Sequence, residues 1–148
     1  MRLLPLFLFF IPLLFYFCNK ANESNISKNN ESRSHNLGRN CMDCHIKKGK
    51  GEGWFTVAGT VYDSTCSIIY PNGFINLCYE KGNIKSTFAR FDVDMKGNFF
   101  TTEKINMSKA FYPCVTSPSG NTIFMTSGIT TGQCNSCHNH TISRIYSK

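Results

Sequence analysis

The central part of the chain alternates between apolar and polar residues with a period of two, and this pattern limits it to an all-β fold. The alternating runs read WFTVAGTVYD, GFINLCYE, KSTFARFDVD, GNFFTTEKI, KAFYPCVTS and NTIFMTS. Turn-forming sequences YPNG, KGN, MKGN and SPSG separate most of them. Short strands at regular intervals, without a helical pattern, predict a small antiparallel β-sandwich over residues 54–130.

The start of the chain has the composition of an export signal. Met1 and Arg2 precede an apolar run from Leu3 to Phe17 that contains two prolines. A membrane-spanning helix needs about 20 apolar residues, so this shorter run predicts a signal peptide over residues 1–17 rather than a permanent anchor. We therefore expect an exported protein, periplasmic or at the cell surface.

A cysteine follows the apolar run directly, in the sequence FYFCNK. This resembles a bacterial lipoprotein signal, which implies that Cys18 is lipidated and anchors the protein to a membrane. The alternative is a signal that is cleaved slightly later without lipidation. The next residues are polar and rich in Asn and Ser, so residues 18–40 are predicted to be a tether with nothing to bury.

The basic charge of the chain does not predict a nucleic-acid partner. Sixteen Lys and Arg against nine Asp and Glu give a formal net charge of +7. These basic residues are scattered, and the only tight cluster is Lys47, Lys48 and Lys50 in a glycine-rich stretch. That cluster is typical of a solvated linker.

The motif C-x-x-C-H occurs twice, as CMDCH at residues 41–45 and CNSCH at residues 134–138. Two thiols at this spacing can form thioethers with the two vinyl groups of one haem, and the next imidazole can bind the iron. We predict two covalently bound c-type haems, in segments 41–53 and 131–148. The attachment residues are Cys41, Cys44, Cys134 and Cys137, and the proximal iron ligands are His45 and His138.

Zinc and thiol redox chemistry are the alternatives for these cysteine pairs. Zinc ribbons usually separate their pairs by about 15 to 20 residues, whereas here the whole alternating region lies between them. A thioredoxin-like pair needs a βαβ context that the flanking sequence does not provide. Two such motifs in an exported chain therefore favour haem.

The second axial ligand of each iron decides between electron transfer and ligand binding. The distal candidates are His140, Met125 and His35, with Met42, Met95 and Met107 as further donors. His140 lies only two residues after His138, so it can serve only the other haem. His35 lies in the predicted tether and becomes available only if that segment orders.

The remaining cysteines, Cys66, Cys78 and Cys114, form an odd set. One disulfide is predicted among them, either Cys66 with Cys78 or Cys78 with Cys114, and the sequence does not choose between these pairings. The leftover thiol is expected to be buried or to pair between chains.

The sequences FTVAGTVYD, GFINLCYE and FDVDMKGNFFTTE resemble the carboxypeptidase-regulatory or transthyretin-like β-sandwich, over residues 55–127. Asn76 departs from the small or apolar residue that this family often has. The terminal motifs resemble those of multihaem c-type cytochromes. Together the resemblances imply an immunoglobulin-like or transthyretin-like sandwich with haem-binding segments at both ends, and the sandwich alone implies no chemistry.

The sequence predicts an electron carrier rather than an enzyme, although haem-based catalysis is not excluded. It contains no nucleophile elbow, phosphate-binding loop or H-E-x-x-H motif. The expected partners are other cytochromes or a terminal reductase, and copies of the chain can self-associate. The haems are expected close together, at facing ends of one domain. The alternatives are a haem sensor or reductase with an open iron, and a non-haem lipoprotein for binding or adhesion.

Overall fold

The computed structural model describes residues 22–148, so the predicted signal peptide and Cys18 lie outside the described residues. The strands are β1 (Val57–Tyr62), β2 (Phe74–Cys78), β3 (Thr87–Asp92), β4 (Asn98–Thr101), β5 (Tyr112–Thr116), β6 (Thr122–Phe124), β7 (Gly132–Gln133) and β8 (Ile145–Tyr146). The helical elements are two 3-10 turns, Cys41–Asp43 and Ile84–Ser86, and one short helix, α1 (Cys134–Cys137). Within residues 22–148 no helix is long and apolar enough to cross a membrane. The predicted all-β fold is confirmed.

The strands form two sheets, and each alternating run of the sequence contributes one of β1 to β6. One sheet has the order β3-β2-β5-β6 and is antiparallel throughout. In the other, β4 pairs antiparallel with β1, whereas β7 and β8 pair with β1 in parallel. The sandwich is therefore not purely antiparallel, and the C-terminal segment that we predicted as an attachment beside it supplies two of its strands.

The main core lies between the sheets and follows from the alternation of β1. Val57 and Val61 are fully buried and pack in one cluster with Leu77, Phe91 and Phe99. Burying a side chain of this size is worth about 1.5–3 kcal/mol relative to leaving it exposed. This cluster is what holds the two sheets together.

A second apolar cluster covers the other face of β1 and β4. It consists of Phe55, Ala58 and Phe100, and Cys41 and Met42 pack against it. Because neighbouring residues of a strand point to opposite faces, Ala58 faces away from the main core. The first C-x-x-C-H motif therefore lies on the outer face of this sheet.

The predicted turn MKGN joins β3 to β4 and is built around one buried carboxylate. Asp94 Oδ1 accepts hydrogen bonds from the backbone N–H of Lys96 and of Asn98, at 2.9 and 3.0 Å. Gly97 has a φ of +75°, which glycine adopts without strain. This turn fixes the loop against which the segment before the first motif packs.

The prediction of a free tether over residues 18–40 is wrong for its described part, which docks along β4. The backbone N–H of Ser27 donates to the Phe100 carbonyl at 3.0 Å, and that of Thr102 donates to the Asn25 carbonyl at 3.0 Å. Ser27 is buried. The polar composition predicted a tether because it offers no apolar core. The segment is instead held by hydrogen bonds to an open sheet edge.

Candidate functional site

The first motif forms a single tight turn. Cys41–Asp43 is a 3-10 turn, and Asn40 Oδ1 accepts a hydrogen bond from the backbone N–H of Met42 at 3.3 Å. The backbone N–H groups of Cys44 and His45 both donate to the Cys41 carbonyl, at 3.3 and 3.0 Å. Both cysteines and the histidine are therefore held within one turn of backbone.

His45 is held in a fixed orientation. Its ring is buried, with 9% exposed, and stacks on Phe55 with centroids 4.2 Å apart and an interplanar angle of 9°. A Cβ at Gly51 would lie 2.7 Å from the ring, so only glycine fits there. Nδ1 lies 2.9 Å from the Glu52 carbonyl oxygen. This carbonyl favours the tautomer with the proton on Nδ1, which leaves the Nε2 lone pair for a metal.

A second histidine lies beside the first motif. The ring centroid of His35 is 5.8 Å from that of His45, with an angle of 36° between the rings. The N-terminal segment is ordered against the sheet, and this places His35 beside His45. Ser34 is buried, and its hydroxyl oxygen accepts a hydrogen bond from Asn98 Nδ2 at 2.9 Å. His35 was expected to be available as a distal ligand only if the predicted tether orders, and the segment around it is ordered.

The second motif repeats the histidine arrangement on a different backbone. Helix α1 spans its cysteines, and the backbone N–H of His138 donates to the Cys134 carbonyl at 3.0 Å. His138 Nδ1 is hydrogen bonded to the carbonyl of Ser143. As at His45, the nitrogen that remains for a metal is Nε2.

A cavity of about 400 Å³ opens beside the second motif, at the edge of the sandwich. The functional side chains in its wall are Cys134, Cys137, His138, Met125 and Arg144. Its other wall residues come mostly from the two sheets and are largely apolar. Its size falls in the range of about 300–1,000 Å³ that is common for small-molecule sites. The structure thus brings the predicted distal candidate Met125 into the same cavity as His138.

Asn135 anchors the second motif to β1. Strand β7 pairs with residues 57–58 of β1, and β8 pairs with residues 61–62. Between these two pairings, the edge of β1 at residues 59–60 has no partner strand among residues 22–148. Asn135 Oδ1 accepts from the backbone N–H of Thr60 at 3.2 Å, and its Nδ2 donates to the Arg39 carbonyl at 2.9 Å. Asn135 is 1% exposed. No sequence signal pointed to this role, because Asn135 occupies a variable position of the motif.

The two motifs are neighbours, which corrects the expectation of haems at facing ends. Asn40 Nδ2 donates to Gln133 Oε1 at 3.1 Å, which joins the residues that precede the two motifs. Asn139 Nδ2, just after the second motif, donates to the Gly38 carbonyl at 3.0 Å. Both motifs therefore lie against β1, the first on its outer face and the second at its edge.

The first cysteine of each motif, Cys41 or Cys134, is half-buried, and its thiol holds its proton more tightly than a free thiol does. Burial raises the pKa of the Cys41 thiol above its ordinary value of 9.0. Burial, with smaller contributions from Cys41 and Cys137, raises the pKa of Cys134 to about 12. Cys44 and Cys137 are exposed. Each motif thus pairs one shielded thiol with one accessible thiol.

The other donors lie in varied places. His140 is exposed, and Met95 is 50% exposed on the surface. Met107 packs against the main core, and Met42 packs against the cluster around Phe55. None of these four residues lines the cavity beside His138.

All seven cysteines of residues 22–148 are free thiols, so neither predicted disulfide is formed. Cys78 pairs with Tyr112 and Cys114 with Asn76, so the two cysteines on β2 and β5 are diagonal neighbours. A disulfide needs Cβ atoms about 3.5–4.5 Å apart, and diagonal positions are wider than that. Burial and the nearby Cys78 raise the pKa of Cys114 to about 12.

Among residues 22–148, no group of three or more His, Cys, Asp or Glu side chains is arranged to hold a metal ion. A c-type haem does not need such a group, because its iron takes one side-chain ligand on each face. The finding therefore concerns the zinc alternative alone, and the haem prediction stays a prediction.

Comparison with known proteins gives no match: no protein-family model, no curated protein and no solved structure matches this chain. The resemblances to the transthyretin-like sandwich and to multihaem cytochromes therefore rest on the quoted motifs. What the chain does has to be inferred from its own two motifs and their surroundings.

Proposed function

We propose that this protein is an exported di-haem c-type cytochrome that transfers electrons in the periplasm or at the cell surface. The observation that carries the proposal is the shared histidine geometry. His45 and His138 each direct Nδ1 to a backbone carbonyl of the following loop, which leaves Nε2 for iron. A repeated motif alone is a pattern in the sequence, whereas this geometry gives both histidines the orientation that a metal ligand needs.

The surroundings of the first motif fit a haem. Leu37 and Ile46 flank it and are 47% and 49% exposed, although side chains of this kind are usually buried. Lys47, Lys48 and Lys50 are exposed just after the motif. A haem combines an apolar ring with two anionic propionates, so it would be stabilised by both the apolar and the basic side chains.

The surroundings of the second motif fit a haem in a different way. The cavity beside His138 has a largely apolar wall, which suits the apolar ring of a haem. Ile142, 46% exposed, also lines it. Arg144 supplies one cation in the same wall and stacks over the Tyr62 ring at 4.5 Å.

When bound, each haem supplies an iron that takes up and releases one electron without transferring atoms. The residues of the chain hold the cofactor covalently through the thiols, orient the proximal imidazole and keep water away. Because both motifs contact β1, electrons would pass between two neighbouring sites of one small domain. The proposed partners are other cytochromes or a terminal reductase, and a lipid on Cys18 would keep the protein at a membrane.

A pyridine haemochrome assay with haem staining of denaturing gels tests the proposal, on protein from a host that matures c-type cytochromes. We expect two covalent haems per chain. Cys41→Ser with Cys44→Ser, and separately Cys134→Ser with Cys137→Ser, should each leave one. A colourless protein without covalent haem would overturn the proposal and favour a non-haem binding lipoprotein.

The cavity favours one second candidate function, a haem protein that binds a small ligand at the second site. The space beside His138 is large enough for a small molecule, and Met125 is half-buried in its wall. Carbon monoxide added to the reduced protein distinguishes the two functions. Binding to the unmodified protein would indicate an open iron, and no binding would indicate that both irons have two axial ligands.

A further inference from the structure

We propose that His35 is the second axial ligand of the haem at the first motif, so that two imidazoles close this site. The inference rests on the proposed function and names a residue outside either C-x-x-C-H motif. It starts from the ring centroids of His35 and His45, which are 5.8 Å apart. His35 belongs to a segment that the sequence predicted to be a free tether, so its position is a finding of the structure.

The separation of the rings matches the span of an iron between two imidazoles. An imidazole nitrogen lies about 2 Å from a bound metal, and the ring centre lies about 1 Å further, so two opposed rings are about 6 Å apart. Packed aromatic rings also lie about 4.5–7 Å apart, so the distance agrees with an iron between the rings, and the fixed backbone and unengaged side chain of His35 carry the rest of the inference. The imidazole of His45 already has Phe55 stacked on one face and Gly51 against its ring.

The backbone around His35 is fixed on both sides. Before it, Lys96 Nζ donates to the Ser34 carbonyl at 2.7 Å. After it, Gly38 has a φ of +72°, and its backbone N–H donates to Thr60 Oγ1 at 3.0 Å. A Cβ at Gly38 would lie 2.6 Å from the Tyr62 hydroxyl oxygen, so this close approach needs glycine. The loop therefore presents His35 from a rigid support rather than from a flexible arm.

The His35 side chain has no other role in the part of the chain that the structure describes. It is exposed, and its ring makes no hydrogen bond within residues 22–148. The nearby sulfur donor, Met42, packs against the cluster of Phe55, Ala58 and Phe100. Between these two donors, the imidazole is the one that is unengaged and close to His45.

Two imidazoles give a haem a lower reduction potential than one imidazole with a thioether. The second site has Met125 in the wall of its cavity. With Met125 bound to the second iron, the first haem would be the more reducing of the two, and an electron would move from the first site to the second.

The experiment compares His35→Ala with His140→Ala, the matched change at the other exposed histidine outside the proximal positions. Both variants are prepared as the haem-loaded full chain, and covalent haem is counted first. We expect two haems per chain in both. Electron paramagnetic resonance should show one of two low-spin ferric haems becoming high-spin in His35→Ala only. The reduced His35→Ala protein should bind one more carbon monoxide per chain than the unmodified protein, and added imidazole should restore the low-spin signal.

The outcomes separate this inference from the proposed function. If the unmodified chain carries no covalent haem, the proposed function fails. If His35→Ala carries two haems with an unchanged spin state, the function stands and His35 is not a ligand. A loss of low-spin signal in His140→Ala in place of His35→Ala would assign the position to the other histidine and would also overturn the inference.

Discussion

The two C-x-x-C-H motifs differ in how they are joined to the fold, although their sequences are nearly equivalent. The first is a 3-10 turn laid on the outer face of one sheet, where His45 stacks on Phe55. The second is a helical turn between β7 and β8, and both of these strands pair with β1. The first motif thus packs on the outer face of a finished sheet, whereas the second lies between two strands that belong to the sheet.

The environment of each C-x-x-C-H motif is therefore set by the residues on either side of it. Residues after the first motif return through Gly51 to enclose His45, and residues before it supply His35. The flanks of the second motif are strands, so its histidine faces the opening between the two sheets. We therefore expect changes near the second motif to affect folding more than changes near the first.

The largest expected effect is that of Gly132→Val, which would separate the second site from the sheet. A Cβ at this position would lie 1.9 Å from the Thr56 carbonyl oxygen and 2.7 Å from the Val57 Cα, so the parallel pairing of β7 with β1 could not form. We expect a loss of about 3 kcal/mol in the free energy of unfolding. Urea denaturation followed by circular dichroism measures it.

Gly82→Asn is the matched control for that change. Gly82 has a φ of +73° and open space around its Cβ position, and asparagine tolerates this conformation. It should change stability by less than about 0.5 kcal/mol. Equal losses in both variants would show that glycine is not specifically required where β7 meets β1.

A smaller effect is expected for Asn135→Ala, which removes the side chain that completes the edge of β1. The backbone N–H of Thr60 would lose its acceptor while buried, and the Arg39 carbonyl would lose a donor. An unsatisfied buried group costs about 1–3 kcal/mol. Thermal unfolding should show this destabilisation, whereas Ser136→Ala, at the adjacent exposed position, should have little effect. Similar melting temperatures in both variants would contradict the anchoring role of Asn135.

Met125→Leu should leave stability nearly unchanged and alter only the second haem. The two side chains have similar volumes, and such exchanges usually cost less than about 1.5 kcal/mol. We expect the long-wavelength charge-transfer band of methionine-ligated ferric haem to disappear and the second site to bind carbon monoxide. Visible spectroscopy of the haem-loaded protein measures both. An unchanged spectrum would remove Met125 from the ligand set and strengthen the small-ligand function.

The smallest effect concerns the thiols of the haem-free chain. The pKa of Cys134 is raised to about 12 by burial, so its thiolate fraction near neutral pH is about a thousandfold lower than at the ordinary value of 9.0. Iodoacetamide should therefore modify the exposed Cys137 well before Cys134, as peptide mass spectrometry can show. Equal rates would mean that the second motif does not dock on the sheet without haem.

The same raised pKa predicts how stability depends on pH. Because the folded chain holds the Cys134 proton more tightly than the unfolded chain, this contribution is complete below pH 9 and is lost as the pH rises toward 12. The haem-free protein should unfold more easily across this range. Cys134→Ala should reduce that dependence, and the thiol of Cys114, with a pKa also raised to about 12, should account for a remaining part.

The sequence predicted the strands well because alternation and turn residues are local signals. Each of the six runs contains one of β1 to β6, and the turn at Gly97 lies where MKGN indicated it. The proximity of the two motifs was expected only from the small size of the domain. Their placement side by side on β1 depends on parallel pairing of two-residue strands, which leaves no periodic signal.

The N-terminal segment shows why its composition led to the wrong prediction of a free tether. Its Asn and Ser residues predicted a tether because they cannot form an apolar core. In the fold they hydrogen bond to the sheet and its turn: Ser27 Oγ accepts from the backbone N–H of Phe100, and Ser34 Oγ accepts from Asn98 Nδ2. The position of His35 follows from this docking, so no reading of the sequence alone could place it beside His45.

The most direct test for two covalent haems is mass spectrometry of the intact, matured protein followed by mapping of its tryptic peptides. Cleavage after Arg39 and at Lys109 puts the two motifs on separate peptides. We predict an added mass of two haems per chain, with one haem on the peptide of Cys41 and Cys44 and one on that of Cys134 and Cys137. Unmodified or disulfide-bonded cysteines in either motif would show that this motif carries no covalent haem.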